Sequence, residues 1–258
     1  MGVYHTILGQ LKMSEDLPEL PKDSCLIKEN DAYFVCVPHE TPTHKVTEVE
    51  QREPSCRVVS CEKGVRTFLT LFSEACFGWL GHQSIGKIQR LCYHLDELLS
   101  RAEKAKRPKR RNLRRAANRL RRRIRNLVDE LHHKVAKFLV KNFDIILLPT
   151  FETSNMTTRD QRKLRKKSVR QMLTLSHFRF KQFLRHKAKE HGKLVMDVCE
   201  AYTSKTVSWT GEIIANLGGR KVIKASDGGV MDRDLNGARG IFLRALGDSP
   251  MLQNLVVL

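Results

Sequence analysis

The sequence lacks any apolar run long enough to span a bilayer, which needs about 20 residues. Its longest apolar run lies within residues 144–151 and has the length of a strand. The beginning of the chain also lacks a basic stretch followed by an apolar core, so we expect no secretory signal. These absences argue against a membrane protein, a secreted protein and a membrane partner.

Paired cysteines are missing too. The seven cysteines are an odd number, and no two of them have the Cys-x-x-Cys spacing of a thiolate metal site. Neither cysteine nor histidine occurs after Cys199. We therefore expect free thiols in a reducing compartment. With 2 Trp and 4 Tyr, aromatics are too sparse to predict a base-stacking platform, and we expect Trp79 and Trp209 to be packing residues.

Acidic residues are nearly absent from one stretch. Residues 101–125 hold 14 Lys and Arg and a single acid, whereas residues 1–57 hold 6 basic and 10 acidic residues. Most of the net charge of +19 therefore comes from one segment, which predicts a polyanionic partner, with nucleic acid the best fit. The binding residues that we predict are Arg107, Lys109, Arg110, Arg111, Arg114, Arg115, Arg121 and Arg122.

Charge alone leaves other roles open for this segment. The same charge pattern also fits a solvated helix face and, less well, a basic helix on a membrane surface. Residues 106–111 (KRPKRR) would serve as a nuclear import signal, which predicts a nuclear protein and otherwise a cytoplasmic one.

The first half of the chain reads as strands followed by helices. Residues 25–37 predict two short strands, and residues 57–61, 66–72 and 78–82 predict an antiparallel meander. From Ser84 the apolar residues recur at helical spacing, with an interruption at Pro108. We expect an antiparallel helical hairpin whose arginines point outward.

In the second half, strand and helix alternate. Residues 144–148 and 194–199 predict buried strands, and residues 157–191 predict basic helices between them. Residues 212–215 and 221–224 flank two glycines and predict a hairpin, and residues 235–246 predict a last helix. The predicted fold class is α/β with one mixed sheet.

Five carboxylates occur where this fold brings side chains together. Glu62, Glu152 and Glu200 follow predicted strands, and Asp232 and Asp234 open the last helix. Carboxylates gathered at one sheet edge bind hard divalent cations, and two Mg²⁺ ions about 4 Å apart can clamp a scissile phosphate. The pattern also fits helix N-caps for the two aspartates and surface turn positions for the glutamates.

Several short motifs follow one another in the chain: residues 64–68 (GVRTF), residues 147–154 (LLPTFETS), residues 200–206 (EAYTSKT), Gly211, residues 218–219 and residues 232–240 (DRDLNGARG). In this order they resemble the RuvC nuclease of the TnpB/Fanzor family, which comprises transposon-encoded, RNA-guided DNA endonucleases related to type V CRISPR effectors. Glu200 directly before Ala-Tyr-Thr-Ser, with Thr150 at the position of the bacterial glutamate, resembles the eukaryotic Fanzor branch.

The resemblance implies an RNase H-like (RuvC) mixed sheet, a guide RNA and a DNA target, with no small-molecule substrate. It also implies that Glu62, Glu200 and Asp234 are the catalytic residues and the Mg²⁺ ligands, Asp232 being the less favoured of its pair. The implied domains are residues 1–55 as a β-domain remnant plus linker, 56–246 as the nuclease with a basic helical insertion at 84–142 and a degenerate zinc ribbon at 207–231, and 247–258 as a tail.

Three departures from the family pattern leave the activity open. Glu62 replaces the aspartate of the first motif, and a longer side chain moves a shared oxygen by about 1 Å. Val207 and Thr210 occupy the positions of the first ribbon cysteines, so we expect no zinc. The chain is also short for the family, as a truncated copy would be. An active Mg²⁺-dependent DNA endonuclease, a decayed nucleic-acid-binding remnant and a structural protein remain as alternatives.

Overall fold

The structure is a computed structural model that describes residues 12–16, 23–29, 32–38, 40, 56–150 and 166–255. The chain divides into two compact units, Met1–Pro42 and Thr43–Leu258. In the first unit, β1 (Cys25–Glu29) and β2 (Ala32–Cys36) form an antiparallel hairpin. This confirms the two strands predicted within residues 25–37.

The second unit is built on a five-stranded mixed sheet with the order β5-β4-β3-β6-β7. Strands β3, β4 and β5 form an antiparallel meander, and β6 and β7 continue the sheet parallel to β3. The predicted α/β class with a mixed sheet is confirmed. The strands are β3 (Val58–Lys63), β4 (Leu69–Phe72), β5 (Phe77–Leu80), β6 (Ile145–Pro149) and β7 (Leu194–Val198).

Alternation along β3 sends side chains to two separate cores. Val59 and Cys61 join the larger core beneath the helical hairpin, whereas Val58 joins a second core on the opposite face. Every residue of β6 is buried, because this central strand is covered on both faces. Burial on both faces explains the continuous apolar run from which this strand was predicted.

The helical hairpin consists of α1 (His82–Lys104) and α2 (Arg107–Asn142), which pack against each other. Pro108 lies in the first turn of α2, where its missing N–H has no intrahelical partner to lose. It therefore starts the second helix and separates it from the first, as predicted. Among the described residues, no helix is long and apolar enough to cross a membrane.

Two shorter helices cover the same face of the sheet as the hairpin. They are α3 (Lys166–Leu175) and α4 (His177–Glu190), separated by Ser176 in a left-handed conformation (φ 49°). Phe180 and Leu184 of α4 are fully buried in the larger core. The helical prediction for residues 157–191 is confirmed from residue 166, and residues 157–165 lie outside the described residues.

The opposite face of the sheet is covered by α5 (Arg233–Asp248) and α6 (Pro250–Leu255). Leu252 and Leu255 of α6 are buried in the second core. The prediction that a tail begins at residue 247 is therefore wrong for residues 250–255. These two leucines cover apolar surface that α5 alone leaves open.

The segment before α5 contains a hairpin of β8 (Val222–Lys224) and β9 (Val230–Asp232). The predicted pairing of residues 212–215 with 221–224 is wrong, because Ile213 instead forms a β-bridge with Thr206. The chain turns both at Gly218, with φ 55°, and at Gly228, with φ 83°, but strands pair across only the second turn.

A small apolar cluster holds this segment together. Val207, Leu217 and Ile223 are buried in it, and Trp209 packs against them. Val207 is the residue at the position of a ribbon cysteine in the resemblance, and its side chain is fully buried here. Apolar contacts thus hold together the stretch from Val207 to Ala225.

Candidate functional site

The register of β3 directs Glu62 toward the beginning of α5. Ser60, two residues earlier on the same face, donates a hydrogen bond from Oγ to the carbonyl oxygen of Ala238 at 2.6 Å. A Cβ placed on Gly237 would lie 3.3 Å from the carboxyl carbon of Glu62. The lack of a side chain at residue 237 therefore leaves the space that this carboxylate occupies.

Asp232 and Asp234 have different roles at the start of α5. One side-chain oxygen of Asp232 accepts hydrogen bonds from the backbone N–H groups of Asp234 (3.0 Å) and Leu235 (3.1 Å). Asp232 is thus the helix N-cap, as one interpretation of the sequence had it. Asp234 lies in the first helical turn, and its carboxylate is not used in that cap.

Glu200 follows β7 at the start of a tight turn. The backbone N–H and Oγ1 of Thr203 donate to the carbonyl oxygen of Glu200 at 3.2 and 2.9 Å. Tyr202 within this turn has φ 65°, a left-handed conformation that a tyrosine rarely adopts. Burial raises the pKa of Glu200, and the charge of Lys63 acts in the opposite direction.

Electrostatic interactions link the three predicted site acids. Burial, together with the charges of Glu200 and Asp234, raises the pKa of Glu62 to about 8, and the charge of Arg233 opposes them. The Oε2 atom of Glu62 is buried without a hydrogen-bond partner. Burial and the charge of Asp232 also raise the pKa of Asp234. Glu62 is therefore buried within reach of the charges of both other acids, and Arg233 and Lys63 offset only part of their effect on its pKa.

The donor atoms fit a hard divalent cation in type. A buried carboxylate oxygen without a hydrogen-bond donor is costly, and a cation would remove that cost. Within the part of the chain that the structure describes, however, no three His, Cys, Asp or Glu side chains form a ready group that could hold a metal ion. The acids are near one another without forming a closed cage, and Glu152 lies outside the described residues.

Lys63 lies next to the acids in sequence but its ammonium group is engaged elsewhere. Its Nζ donates to the carbonyl oxygen of Pro149 at 3.0 Å, at the end of the neighbouring strand. Burial, together with the charge of Lys181, lowers the pKa of Lys63 to about 8. Lys63 thus links the end of β3 to the end of β6, and its charge also acts on Glu200.

A buried stack behind Lys63 had no signal in the sequence. The ring of Phe68 stacks between His132 and His177, with centroid distances of 5.3 and 4.8 Å. The Nε2 of His177 donates to the carbonyl oxygen of Gly64 at 3.1 Å. Burial lowers the pKa of His177 to about 3, so the ring is neutral and holds the turn after Glu62.

The predicted nucleic-acid-binding residues lie on α2. All except Arg110 are exposed. Arg110 donates from Nε to the carbonyl oxygen of Ala105 at 3.1 Å and from a terminal nitrogen to that of Glu103 at 3.4 Å. It caps the end of α1 and stabilises the hairpin turn. Its predicted contact with nucleic acid stays a prediction.

The remaining residues are not all on one side of α2. At about 100° per residue, Arg107, Arg111 and Arg114 fall on one stripe, and Lys109 falls on nearly the opposite side. A depression along the stripe is lined by Arg107, Arg110, Arg111, Arg114, Arg115 and Asn118. Arg121 continues the stripe and hydrogen-bonds to Asn118 at 2.8 Å. The surface is a continuous band of guanidinium groups.

This chain is similar in sequence to several known proteins. A family model described as "Cas12f1-like, TNB domain" matches residues 177–241, which span α4 through the first half of α5. "TnpB-like protein L770" of Acanthamoeba polyphaga mimivirus is 28% identical over 249 residues, covering 92% of this chain and 46% of that protein. The chain is related to the TnpB family. "Putative transposase A625R" of Paramecium bursaria Chlorella virus 1 is 31% identical over 212 residues, covering 80% of this chain and 46% of that protein.

The fold is also shared with a solved structure. The chain in "Cryo-EM structure of CRISPR-Cas12f Ternary Complex" superposes with a TM-score of 0.53 at 15% sequence identity, over 81% of this chain and 41% of that one. The present chain spans about half the length of the curated TnpB relatives it matches. Its similarity to the TnpB proteins thus includes both the sheet and the segment that carries Glu200 and Asp234.

Proposed function

We propose that this chain is the nuclease part of a transposon-derived, TnpB-like protein, and that it hydrolyses DNA phosphodiester bonds at Glu62, Glu200 and Asp234. The observation that carries the proposal is that Glu62 lies buried against Gly237 of α5, within reach of the charges of both Glu200 and Asp234. These acids are 138 and 34 residues apart in sequence and lie on β3, in the turn after β7 and on α5. The family relationship supports the same three positions.

The architecture supports a RuvC-type, RNase H-like core. Three antiparallel strands are followed by two strands parallel to the first, and α5 crosses the face that carries Glu62. This is the arrangement that an RNase H-like fold requires. Within the proposal, the α1–α2 hairpin is the basic insertion and residues 206–232 correspond to the ribbon.

The proposed cofactor is Mg²⁺, which Glu62, Glu200 and Asp234 would hold. A cation bound there would neutralise charge on a phosphate and make water a better nucleophile. The chain contributes the positioning: Gly237 leaves room for Glu62, Asp232 fixes the first turn that carries Asp234, and the turn after β7 orients Glu200.

The proposed partners are a guide RNA and a DNA target. The arginine stripe of α2 is suited to backbone phosphates, which carry affinity without reading sequence. Base pairing with a guide would then provide the sequence specificity. Nuclear localisation through residues 106–111 and membership of the Fanzor branch stay predictions.

A cleavage assay tests the proposal. Full-length protein with Mg²⁺ and end-labelled single-stranded DNA is expected to yield cut products, and Glu200→Gln is expected to reduce the rate more than about 100-fold. Glu97→Gln is the matched control, because Glu97 is an exposed glutamate on α1. If Glu200→Gln cuts as fast as the wild type, the assigned site is wrong.

A second candidate is a nucleic-acid-binding protein that no longer cuts. It is favoured by the open arrangement of the acids and by the pKa of about 8 for Glu62, which leaves this acid largely protonated at neutral pH when no cation is bound. Glu62→Asp restores the residue type of the family motif. Cleavage that appears only in Glu62→Asp would identify the chain as this decayed form.

A further inference from the structure

Two aromatic side chains are exposed on the outer strand of the sheet. Phe77 and Trp79 of β5 are 59% and 48% exposed. Their rings meet edge to face, with centroids 5.7 Å apart at 87°. The expectation that Trp79 is a packing residue is therefore wrong, whereas Trp209 does pack on the cluster of residues 206–232.

The strand register places Trp79 in the same cross-strand row as Glu62. Glu62 is opposite Thr70, and Thr70 is opposite Trp79. Residues in register across antiparallel strands project from the same face of a sheet. Two strand spacings separate the backbones of Glu62 and Trp79 by about 10 Å, which equals about three stacked nucleotides.

The neighbouring row has the same arrangement. Ser60 is opposite Phe72, and Phe72 is opposite Phe77. The guanidinium carbon of Arg239, on α5, lies 5.9 Å from the centre of the Phe72 ring. Through the cross-strand pair of Phe72 and Phe77, the aromatic surface at the sheet edge is thus continuous with the ring that Arg239 contacts.

The charges around this surface complement a phosphate chain. Arg66 is exposed in the loop between β3 and β4, four residues after Glu62. Arg233 is the first residue of α5 and directly precedes Asp234. A strand whose bases lie on β5 would therefore have cations near its phosphates on the path to the acids.

We propose that Trp79 and Phe77 form a base-stacking platform that holds single-stranded nucleic acid against the sheet edge and feeds its backbone toward Glu62. The proposal rests on the nuclease function proposed above and adds the residues that position the substrate strand. Base stacking on aromatic side chains is tolerant of sequence, which suits a protein that reads sequence through a guide. Because the two rings meet edge to face, each can stack one base on its own face. A low overall aromatic content therefore does not exclude such a platform.

The experiment measures binding without catalysis. Full-length Trp209→Phe protein, in which Trp79 is the remaining tryptophan, is titrated with a single-stranded oligodeoxythymidine in EDTA, and Trp79 emission is recorded. A stacked base is expected to quench this emission. Affinity is measured in parallel by fluorescence anisotropy of a labelled oligonucleotide.

Each protein variant is tested with a normal oligonucleotide and with an abasic one, which separates loss of base stacking from structural effects of the substitution. Trp79→Ala is expected to weaken binding by about 5- to 100-fold, and Trp79→Phe to retain most of the affinity. Binding of an abasic oligonucleotide of the same length is expected to be weak and unaffected by Trp79→Ala. Phe178→Ala is the matched control, because Phe178 is an aromatic residue on α4 that is 69% exposed.

Each outcome decides the proposal. The platform is supported if the oligonucleotide quenches Trp79 emission and if Trp79→Ala lowers affinity for the normal oligonucleotide but not for the abasic one. Unchanged Trp79 emission while anisotropy shows a bound oligonucleotide overturns the platform and leaves nucleic-acid binding by α2 intact. An equal loss on both ligands assigns Trp79 a structural or protein-contact role and also overturns it. If no oligonucleotide binds at all, the proposed function itself fails.

Discussion

Asp232 accepts hydrogen bonds from the backbone N–H of Asp234 and of the following residue, so one aspartate of the pair orients the other. The cap fixes the first turn of α5, and that turn carries the Asp234 carboxylate into the environment of Glu62 and Glu200. The two acids were interchangeable as helix caps on sequence alone. Backbone geometry assigns the cap to Asp232 and leaves Asp234 for chemistry.

Substitution of Asp232 separates capping from charge. Asp232→Ala is expected to lower the free energy of unfolding by about 1 kcal/mol, because two backbone N–H groups lose their acceptor. Asp232→Asn keeps an acceptor oxygen and is expected to retain most of that stability. Urea denaturation at pH 7 measures both variants. Equal losses in the two would show that charge, and not the cap, is what Asp232 contributes.

Ionisation of Glu62 is expected to make stability depend on pH. Its pKa is raised to about 8 in the folded protein by burial and by the other two acids. The folded state therefore holds this proton at pH values where the unfolded state, with a pKa near 4.5, has lost it. The stability present below about pH 4.5 declines as pH rises toward about 8.

Glu62→Gln removes this titration and is expected to flatten the unfolding free energy between those pH values. Thermal denaturation in EDTA, from pH 5 to pH 8, provides the comparison, with Glu97→Gln as the control. If wild type and Glu62→Gln have parallel pH profiles, Glu62 is not buried beside the other acids.

Arg110 and Arg114 are expected to respond differently to alanine. Arg110→Ala removes hydrogen bonds to the end of α1 and is expected to cost about 1 kcal/mol of stability. Arg114→Ala is expected to change stability by less than about 0.5 kcal/mol. It should weaken nucleic-acid binding and reduce the slope of log K against log salt by about one. Identical behaviour of the two variants in both measurements would contradict the division between hairpin cap and phosphate contact.

The apolar cluster of residues 206–232 predicts stability without a metal. Ile223 is fully buried in that cluster, so Ile223→Ala is expected to cost about 2–5 kcal/mol. A zinc chelator is expected to leave the melting temperature unchanged, because the segment has neither cysteine nor histidine. A chelator-induced fall in melting temperature would show that a metal stabilises the chain.

Local patterns in the sequence were sufficient for most of the second unit. The apolar runs of residues 144–148 and 57–61 both follow from burial on two faces, because β6 and β3 are central strands, so both strands were predictable. The hairpin was predictable from helical spacing and Pro108. These features depend on neighbours along the chain, which a single sequence contains.

Features that depend on distant contacts were not predictable. Gly218 and Gly228 both lie in turns with positive φ, and only the pairing of β8 with β9 places the hairpin at the second. Leu252 and Leu255 are one helical turn apart in a segment too short to show a repeated pattern, so their burial in the second core was not predicted. The same holds for Arg110, whose acceptors lie across a turn, and for Trp79, whose exposure follows from being on an edge strand.

We propose that Glu62, Glu200 and Asp234 form one cation site, and electron paramagnetic resonance of bound Mn²⁺ is the measurement that decides it. The wild type is expected to bind Mn²⁺, and Glu97→Gln is expected to bind it equally well. Glu62→Gln, Glu200→Gln and Asp234→Asn are each expected to weaken binding by more than about 10-fold. Mn²⁺ binding that survives all three substitutions, or that is absent from the wild type, would contradict this proposal.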